Sequence, residues 1–383
     1  MKKLFSILTL VLITASLVAC GGDLPPEPET LPPAVASEPQ PEPEPEPLEV
    51  AYLTGAEKTA DYPEGQRIAA VMVGNTPGAR PAAGIGDAKI LIEIDANAKI
   101  TRFLALYEDY KNMPRVGSVR SARDPFVQLL IPTYGFFVHE GPGEQQPART
   151  MLQQYDYYNN YDLDNVRYKA NDRTGNGFTF FYTDGETVAN AVEKKGYDDF
   201  RAYNSPIFSF SPYNEPRREL PDGAATEVAI TLTPSFRTSF AFNAEAGNYA
   251  MSQFNSYTGG VEPTVDANNN EQLAFENVLV IFAPFDVWPG TQGEGGLTRV
   301  DFTQGGGAFL ISNGSYQRVI WRKGGPDQPL RLENIDGSGE AVALNVGKTY
   351  IAVVDDTRAE AFYEQLQTGN AGDHATGEVN TGL

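Results

Sequence analysis

Apolar residues fall along this chain in short runs broken by Gly, Pro, Asn and Asp, and the runs change character near residue 205. Before that point, strand-like and helix-like segments alternate. Arg67-Ile68-Ala69-Ala70-Val71-Met72-Val73 is an apolar run closed by Gly74-Asn75. Ile90-Leu91-Ile92-Glu93-Ile94 and Ile100-Thr101-Arg102-Phe103-Leu104-Ala105-Leu106 are β-rich runs flanking Asp95-Ala96-Asn97-Ala98, which predicts a hairpin turn. Asp124-Pro125 predicts a helix start, since Asp caps free N–H groups and Pro suits the first turn. The helix should run through Leu130 and stop at Pro132. A strand over 135–139 and a helix over 148–155 follow. Thr183-Asp184-Gly185-Glu186 has capping-box spacing and predicts a helix through Ala189, Ala191 and Val192.

Beyond residue 205 nearly every segment reads as strand. Val228, Ile230 and Leu232 alternate with polar residues, as do Phe240 and Phe242. Glu276-Asn277-Val278-Leu279-Val280-Ile281-Phe282 has the pattern of a fully buried strand. Runs at 308–311, 316–321 and 350–354 complete an expected antiparallel sheet or partial barrel. The predicted fold class is α+β. A mixed α/β domain over 60–205 precedes a mainly antiparallel β domain over 206–360, and 361–383 forms a terminal helix and disordered tail.

The start of the chain has a different pattern. Lys2 and Lys3 precede an apolar run over 4–18, and Leu17-Val18-Ala19-Cys20 follows at its end. A charged start, a short apolar stretch and a small residue before a cut site mark a secretory signal peptide, here 1–19. About 15 apolar residues fall short of the roughly 20 that span hydrocarbon. Cysteine after the cut resembles a bacterial lipobox, in which the Cys20 thiol carries a diacylglyceryl group. Residues 20–55 then form a tether. Within it, Glu38-Pro39-Gln40-Pro41-Glu42-Pro43-Glu44-Pro45-Glu46-Pro47 cannot build a core and should stay extended. At about 3.1 Å per residue, 30 such residues reach on the order of 90 Å. The expected location is the outer face of the bacterial cytoplasmic membrane.

Charge supports that placement. Twenty-nine Lys and Arg stand against 50 Asp and Glu, a formal charge of -21. Such a surface repels phosphate backbones, so nucleic acid is excluded as a partner and membrane contact should run through the lipid. Cys20 is the only cysteine. Its modification leaves no disulfide, thiol nucleophile or thiolate ligand.

Several motifs fail on inspection. Gly347-Lys348-Thr349 resembles the end of a phosphate loop, but Val342 stands where the leading Gly belongs and a strand follows. Asp266-Ala267-Asn268-Asn269-Asn270 begins like a calcium loop, yet Glu271 replaces the turn glycine and Asn277 the closing glutamate. No Gly-x-Ser-x-Gly elbow occurs. His139-Glu140 lacks a second histidine four residues on, and His374 lies in the tail. No metal and no cofactor are expected.

Arginine is then the notable residue. Arg102, Arg115, Arg120 and Arg123 fall within 22 residues, and Gly117-Ser118-Val119-Arg120-Ser121-Ala122-Arg123-Asp124 feeds the helix start. Arginine grips carboxylate or phosphate with two prongs, and helix starts favour negative charge. An anion pocket built by Arg120, Ser121 and Arg123 is one reading. Pairing with the protein's own carboxylates, Asp124 included, is the other. Tyr155, Tyr157, Tyr158 and Tyr161 suit either a sugar or protein contact or core packing. Arg318 and Arg322 should share an exposed strand face, with Val319 and Trp321 on the other.

Val71-Met72-Val73-Gly74-Asn75, Pro77-Gly78-Ala79-Arg80-Pro81, Ile100–Ala105 and Val116–Arg123 resemble the signature blocks of YerB-like lipoproteins in order and spacing. Val265-Asp266, Asn277–Val280, Ile320-Trp321-Arg322-Lys323 and Leu344–Ile351 continue the likeness, which covers roughly 60–355. The resemblance implies a bacterial, lipid-anchored protein of two domains of unknown function (family 3048, N- and C-terminal parts) and no established activity. The chain departs from that pattern at Asp95-Ala96-Asn97-Ala98, where Glu-Gly-Gly is usual. A second departure is at 175–183, which lacks the family's histidine before Tyr182-Thr183. The arginine blocks are intact, and this weights the reading toward binding.

The favoured expectation is a non-catalytic binder of a cell-envelope ligand or envelope protein. Arg102, Arg120, Ser121 and Arg123 would hold an anionic group, with Asp95, His139 and Glu140 as auxiliaries. The alternative is a peptidoglycan-acting hydrolase with Glu140 or Glu144 as acid and Asp95 as base, a pair that would have to sit roughly 5–10 Å apart.

Overall fold

A computed structural model describes residues 49–97, 99–142, 146–170, 180–291 and 296–368. Cys20, where lipidation is expected, the Pro/Glu segment, Glu144, most of the 175–183 stretch and the tail with His374 lie outside them. The described residues form one compact unit. Packing begins earlier than the expected tether end at residue 55, because the sequence turns apolar after Pro47. Ala51, Tyr52, Leu53 and Thr54 are buried. The Leu53 N–H donates to Glu108 Oε1 at 2.6 Å, and Tyr52 stacks on Tyr203 at 3.8 Å.

An eleven-stranded sheet runs through both halves of the sequence. The first half supplies β1 (Ala69–Gly74), β2 (Ile90–Asn97), β3 (Ile100–Tyr107), β5 (Phe136–His139) and β6 (Asp162–Asp164); β4 (Val116–Gly117) pairs elsewhere. The second half supplies strands Asn277–Ala283, Gly306–Ser312, Ser315–Arg322, Arg331–Asn334 and Thr349–Asp355, with the short Gly223–Ala224 pairing on Ser315–Arg322. Strand Thr349–Asp355 joins the halves, lying parallel to Asn277–Ala283 on one side and to β2 on the other. The other second-half pairings in this sheet are antiparallel, as expected, but the sheet is continuous with that of the first half and does not close into a barrel. Strands covered on both faces read as unbroken apolar runs, and Asn277–Ala283 is buried throughout. The fold is α+β, with a large mixed sheet.

A second sheet of consecutive antiparallel strands, Glu227–Thr233, Phe236–Asn243, Asn248–Asn255 and Gly260–Pro263, covers one face of the first. Val71, Leu91 and Phe103 pack there with Phe240, Met251 and Phe275. The opposite face carries Ile92, Leu104, Trp321 and Ile351 beneath α1 (Asp124–Leu130), α2 (Pro147–Gln154) and the connector around Phe208. Three layers thus enclose two apolar cores. Trp321 and Val319 face inward and Arg318 and Arg322 outward, as alternation requires. Tyr157 is core, while Tyr158 is exposed.

Local starts differ by about one residue from the sequence expectations. β2 continues to Asn97 through an irregular pairing after Asp95, so the turn is shorter than Asp95–Ala98. Arg123 occupies the cap position of α1, and Asp124 is its first residue. For α3 (Gly185–Lys195) the cap is Asp184, which accepts from the Thr187 N–H at 2.8 Å. Gly196 ends that helix at φ 66, a left-handed conformation glycine adopts freely. Helix α4 (Ala359–Thr368) closes the described chain.

Candidate functional site at an edge of the central sheet

β1, β2, β5 and β6 run in one direction, so their carboxyl ends meet at one edge of the sheet. In open α/β sheets this is the edge where ligands gather. Arg102 is the third residue of the antiparallel β3 and pairs with Gly74, the last residue of β1. The missing side chain at Gly74 matters, since a Cβ there would lie 3.2 Å from Arg120 Cγ. Gly74 N–H donates to Ser118 O at 2.9 Å and Arg120 N–H to Met72 O at 3.0 Å, laying the 118–123 segment along the end of β1.

The three arginines come together. Arg102 Nη1 donates to Ser121 O, and Arg102 Nη2 and Arg123 Nη2 both reach Asn97 Oδ1 at 3.4 Å. Arg123 Nη1 donates to Ala122 O at 2.7 Å and Arg120 Nη1 to Val119 O at 2.9 Å. Among the described residues, no carboxylate forms a salt bridge with Arg102 or Arg120. Burial, and then the Arg123 and Arg120 charges, push the Arg102 guanidinium well below its usual range, opposed only by Glu140. Arg120 is lowered by burial too, with Glu140 again opposing. The Ser121 side chain is half-buried beside them and makes no hydrogen bond among the described residues.

The surrounding carboxylates have other roles. Asp124 is buried and accepts from Trp288 Nε1 at 2.8 Å; burial pushes its carboxyl up to about 7. It therefore neither caps the helix nor ion-pairs with the cluster. Glu140 pairs with Arg167 at 2.9 Å, whose guanidinium lies 3.5 Å over the Phe181 ring. Asp95 opposes Thr101 in the β2–β3 ladder, so alternation places it on the face away from Arg102. Burial raises its carboxyl to about 6, against a hydrogen bond from Thr298. Alternation thus turns Asp95 away from Arg102.

His139 is also withdrawn. It is fully buried, with Nε2 at 2.5 Å from Asp162 Oδ1 and Nδ1 on Gly141 O. Arg149 bridges the same group, Nη1 to Asp162 Oδ2 at 3.2 Å and Nη2 to Asp164 Oδ2 at 2.7 Å. Burial alone would lower Arg149, but Asp164 and Asp162 hold it above its usual range. The buried Arg149 pairs with both carboxylates here, which marks structural glue.

Sequence reading missed Glu93. It is fully buried, with Oε1 accepting from Asn75 Nδ2 at 2.8 Å and Thr101 Oγ1 at 2.7 Å. Oε2 accepts from Thr238 Oγ1 at 2.9 Å and Tyr350 Oη at 2.6 Å. Burial raises its carboxyl above the usual range. Arg80 approaches through Asn75 Oδ1 at 3.0 Å. A glutamate inside the apolar run 90–94 was the available signal. Two donors come from each half of the chain, so Glu93 fastens the halves together.

The rejected motifs fasten them as well. Asp266 accepts from the Gly84 and Gly86 N–H groups at 2.9 and 2.7 Å, and Lys348 Nζ donates to Gly86 O at 2.7 Å. Among the described residues no cluster of three or more His, Cys, Asp or Glu is placed to hold a metal. None of their helices is long and apolar enough to cross a membrane.

The sheet shared by two halves, with an arginine-lined edge, defines a two-part α+β protein. Residues 53–198 match the N-terminal domain model, and 228–351 the C-terminal domain model, of the protein family of unknown function DUF3048; the chain belongs to that family. It is 28% identical over 317 residues to the candidate lipoprotein YerB of Bacillus subtilis (strain 168), covering 82% of this chain and 88% of that one. The crystal structure of YerB from Bacillus subtilis has the same fold, with a TM-score of 0.65 at 24% identity. The likeness covers 81% of this chain and 98% of the crystallised chain.

Proposed function

We propose that this is a lipoprotein held outside the cytoplasmic membrane through Cys20, whose arginine edge binds an anionic group of a cell-envelope ligand or envelope protein. The observation that carries the reading is the bonding of Arg102 and Arg120. Among the described residues they donate to carbonyl and amide oxygens in a chain of formal charge -21. Neutral acceptors satisfy N–H geometry but leave the charge uncompensated, so an incoming carboxylate or phosphate gains both. The Ser121 hydroxyl adds a neutral donor. Among the described residues, no nucleophile is paired with an acid–base partner at the edge, which favours binding over turnover.

Soluble muropeptides, which carry several carboxylates, test this with the chain starting at residue 45. Arg120→Ala should weaken binding at least tenfold, about 1.4 kcal/mol. Unchanged affinity in a folded variant would remove the arginine edge from consideration. Release of fragments from purified peptidoglycan, lost in Glu140→Gln, would instead establish a hydrolase.

A further inference from the structure

On the face of the sheet away from the second sheet lies a cavity of about 260 Å³. Its floor is Ile92, Leu104, Leu106 and Ile351, and its roof is the connector over 201–208 together with Pro329 and Leu330. The floor side chains alternate with Glu93 and Phe103 along their strands, so they belong to the opposite core from the Glu93 network. The roof is fastened at few points. Tyr203 Oη donates to Thr133 O at 3.2 Å, and Ile207 N–H donates to Tyr52 O at 2.9 Å. A second cavity, about 430 Å³, lies against the same connector and shares Ile207, Phe208 and Leu330.

Arg201 lines the first cavity. Its guanidinium lies 4.1 Å from the Tyr134 ring and 5.7 Å from that of Tyr203, and its backbone N–H donates to Gly65 O at 2.7 Å. Among the described residues the side chain makes no hydrogen bond and no ion pair, and Nε is buried without a partner. Stacking on two tyrosines fixes the plane of the fork while its donors stay uncommitted.

We propose that this cavity binds a single-chain anionic amphiphile, its hydrocarbon on the Ile/Leu floor and its carboxylate or phosphate on Arg201. An apolar cavity of roughly 150 Å³ already admits benzene, so 260 Å³ suits a chain of about ten carbons. The site is independent of the arginine edge and draws on different residues.

Calorimetric titration of the chain from residue 45 tests this with decanoate, decyl phosphate, decanol, acetate and inorganic phosphate. One decanoate or decyl phosphate per chain is expected, and the tighter of the two identifies the headgroup. Decanol should bind roughly tenfold more weakly, and acetate and inorganic phosphate should show no binding at this site. Leu104→Phe should abolish binding by filling the floor, and Leu129→Phe at the half-buried wall does the same if the first variant fails to fold. Arg201→Gln should bring decanoate down to the level of decanol and leave decanol unchanged. Muropeptide affinity, read on the same samples, should not move in any of the three variants. Failure of folded wild-type protein to take up either C10 anion would overturn the proposal. So would full binding by a folded cavity-filled variant, or an unchanged decanoate preference in Arg201→Gln.

Discussion

Two charged clusters flank the carboxyl ends of β1 and β5, and they are built on opposite principles. Around His139, both carboxylates are engaged: Asp162 bonds the imidazole and pairs with Arg149, and Asp164 pairs with Arg149. Around Arg102, cations gather on Ser121 O and the Asn97 amide, each lowering the other's preference for its charge. A matched buried set holds strands and is strongly destabilised by loss of one member. An unmatched set at a rim can lower its energy when an anion arrives. The contrast separates the structural charges from the candidate site more clearly than residue type does.

The largest effect expected from breaking this contrast is on stability. Asp162→Ala leaves His139 and Arg149 without their shared carboxylate, and urea unfolding should register a loss of about 3–5 kcal/mol. If the loss is below about 1 kcal/mol, the two clusters are not different in kind. Arg102→Ala should do the reverse. Muropeptide affinity should fall roughly 30-fold, about 2 kcal/mol, while the unfolding midpoint stays level or rises. A fall in stability with intact binding would exchange the roles assigned to the clusters.

Asp124 supplies a pH test at the boundary between them. Its folded carboxyl is raised from 3.8 to about 7, so the folded state holds the proton more tightly. Its contribution to stability is therefore full below pH 4 and lost as pH rises through about 7. Asp124→Asn keeps an acceptor for the Trp288 indole. It should flatten that dependence and stabilise the protein at pH 8 by an amount on the order of 1 kcal/mol. An unaltered profile between pH 5 and 8 would show that Asp124 is ionised in the fold. The smallest effect belongs to Glu140→Gln. Its pair with Arg167 is partly exposed, so stability should move by less than about 1 kcal/mol. Anion affinity should rise a fewfold, because Glu140 is the one carboxylate that opposes the lowering of both Arg102 and Arg120.

Much of the fold was legible where apolar runs were short and sharply bounded. The strands at 69–74, 136–139 and 277–283 and the helices at 124–130, 147–154 and 185–195 lie where the sequence pattern puts them. Direction was not legible: periodicity in 349–355 cannot tell a parallel neighbour from an antiparallel one, because that choice is made by strands remote in sequence. The irregular pairing after Asp95 hid the face on which that residue points. The arginine cluster could be read because its members lie close together in the chain. Glu93 could not, because Thr238 and Tyr350 are 145 and 257 residues away.

The most direct test is the affinity of the folded Arg102→Ala/Arg120→Ala double variant for soluble muropeptides. It should be measured at one ionic strength, beside wild type, after both show the same unfolding midpoint. Loss of roughly 100-fold or more, about 2.7 kcal/mol, is the predicted result. Affinity within about twofold of wild type would contradict the assignment of this edge as the binding site.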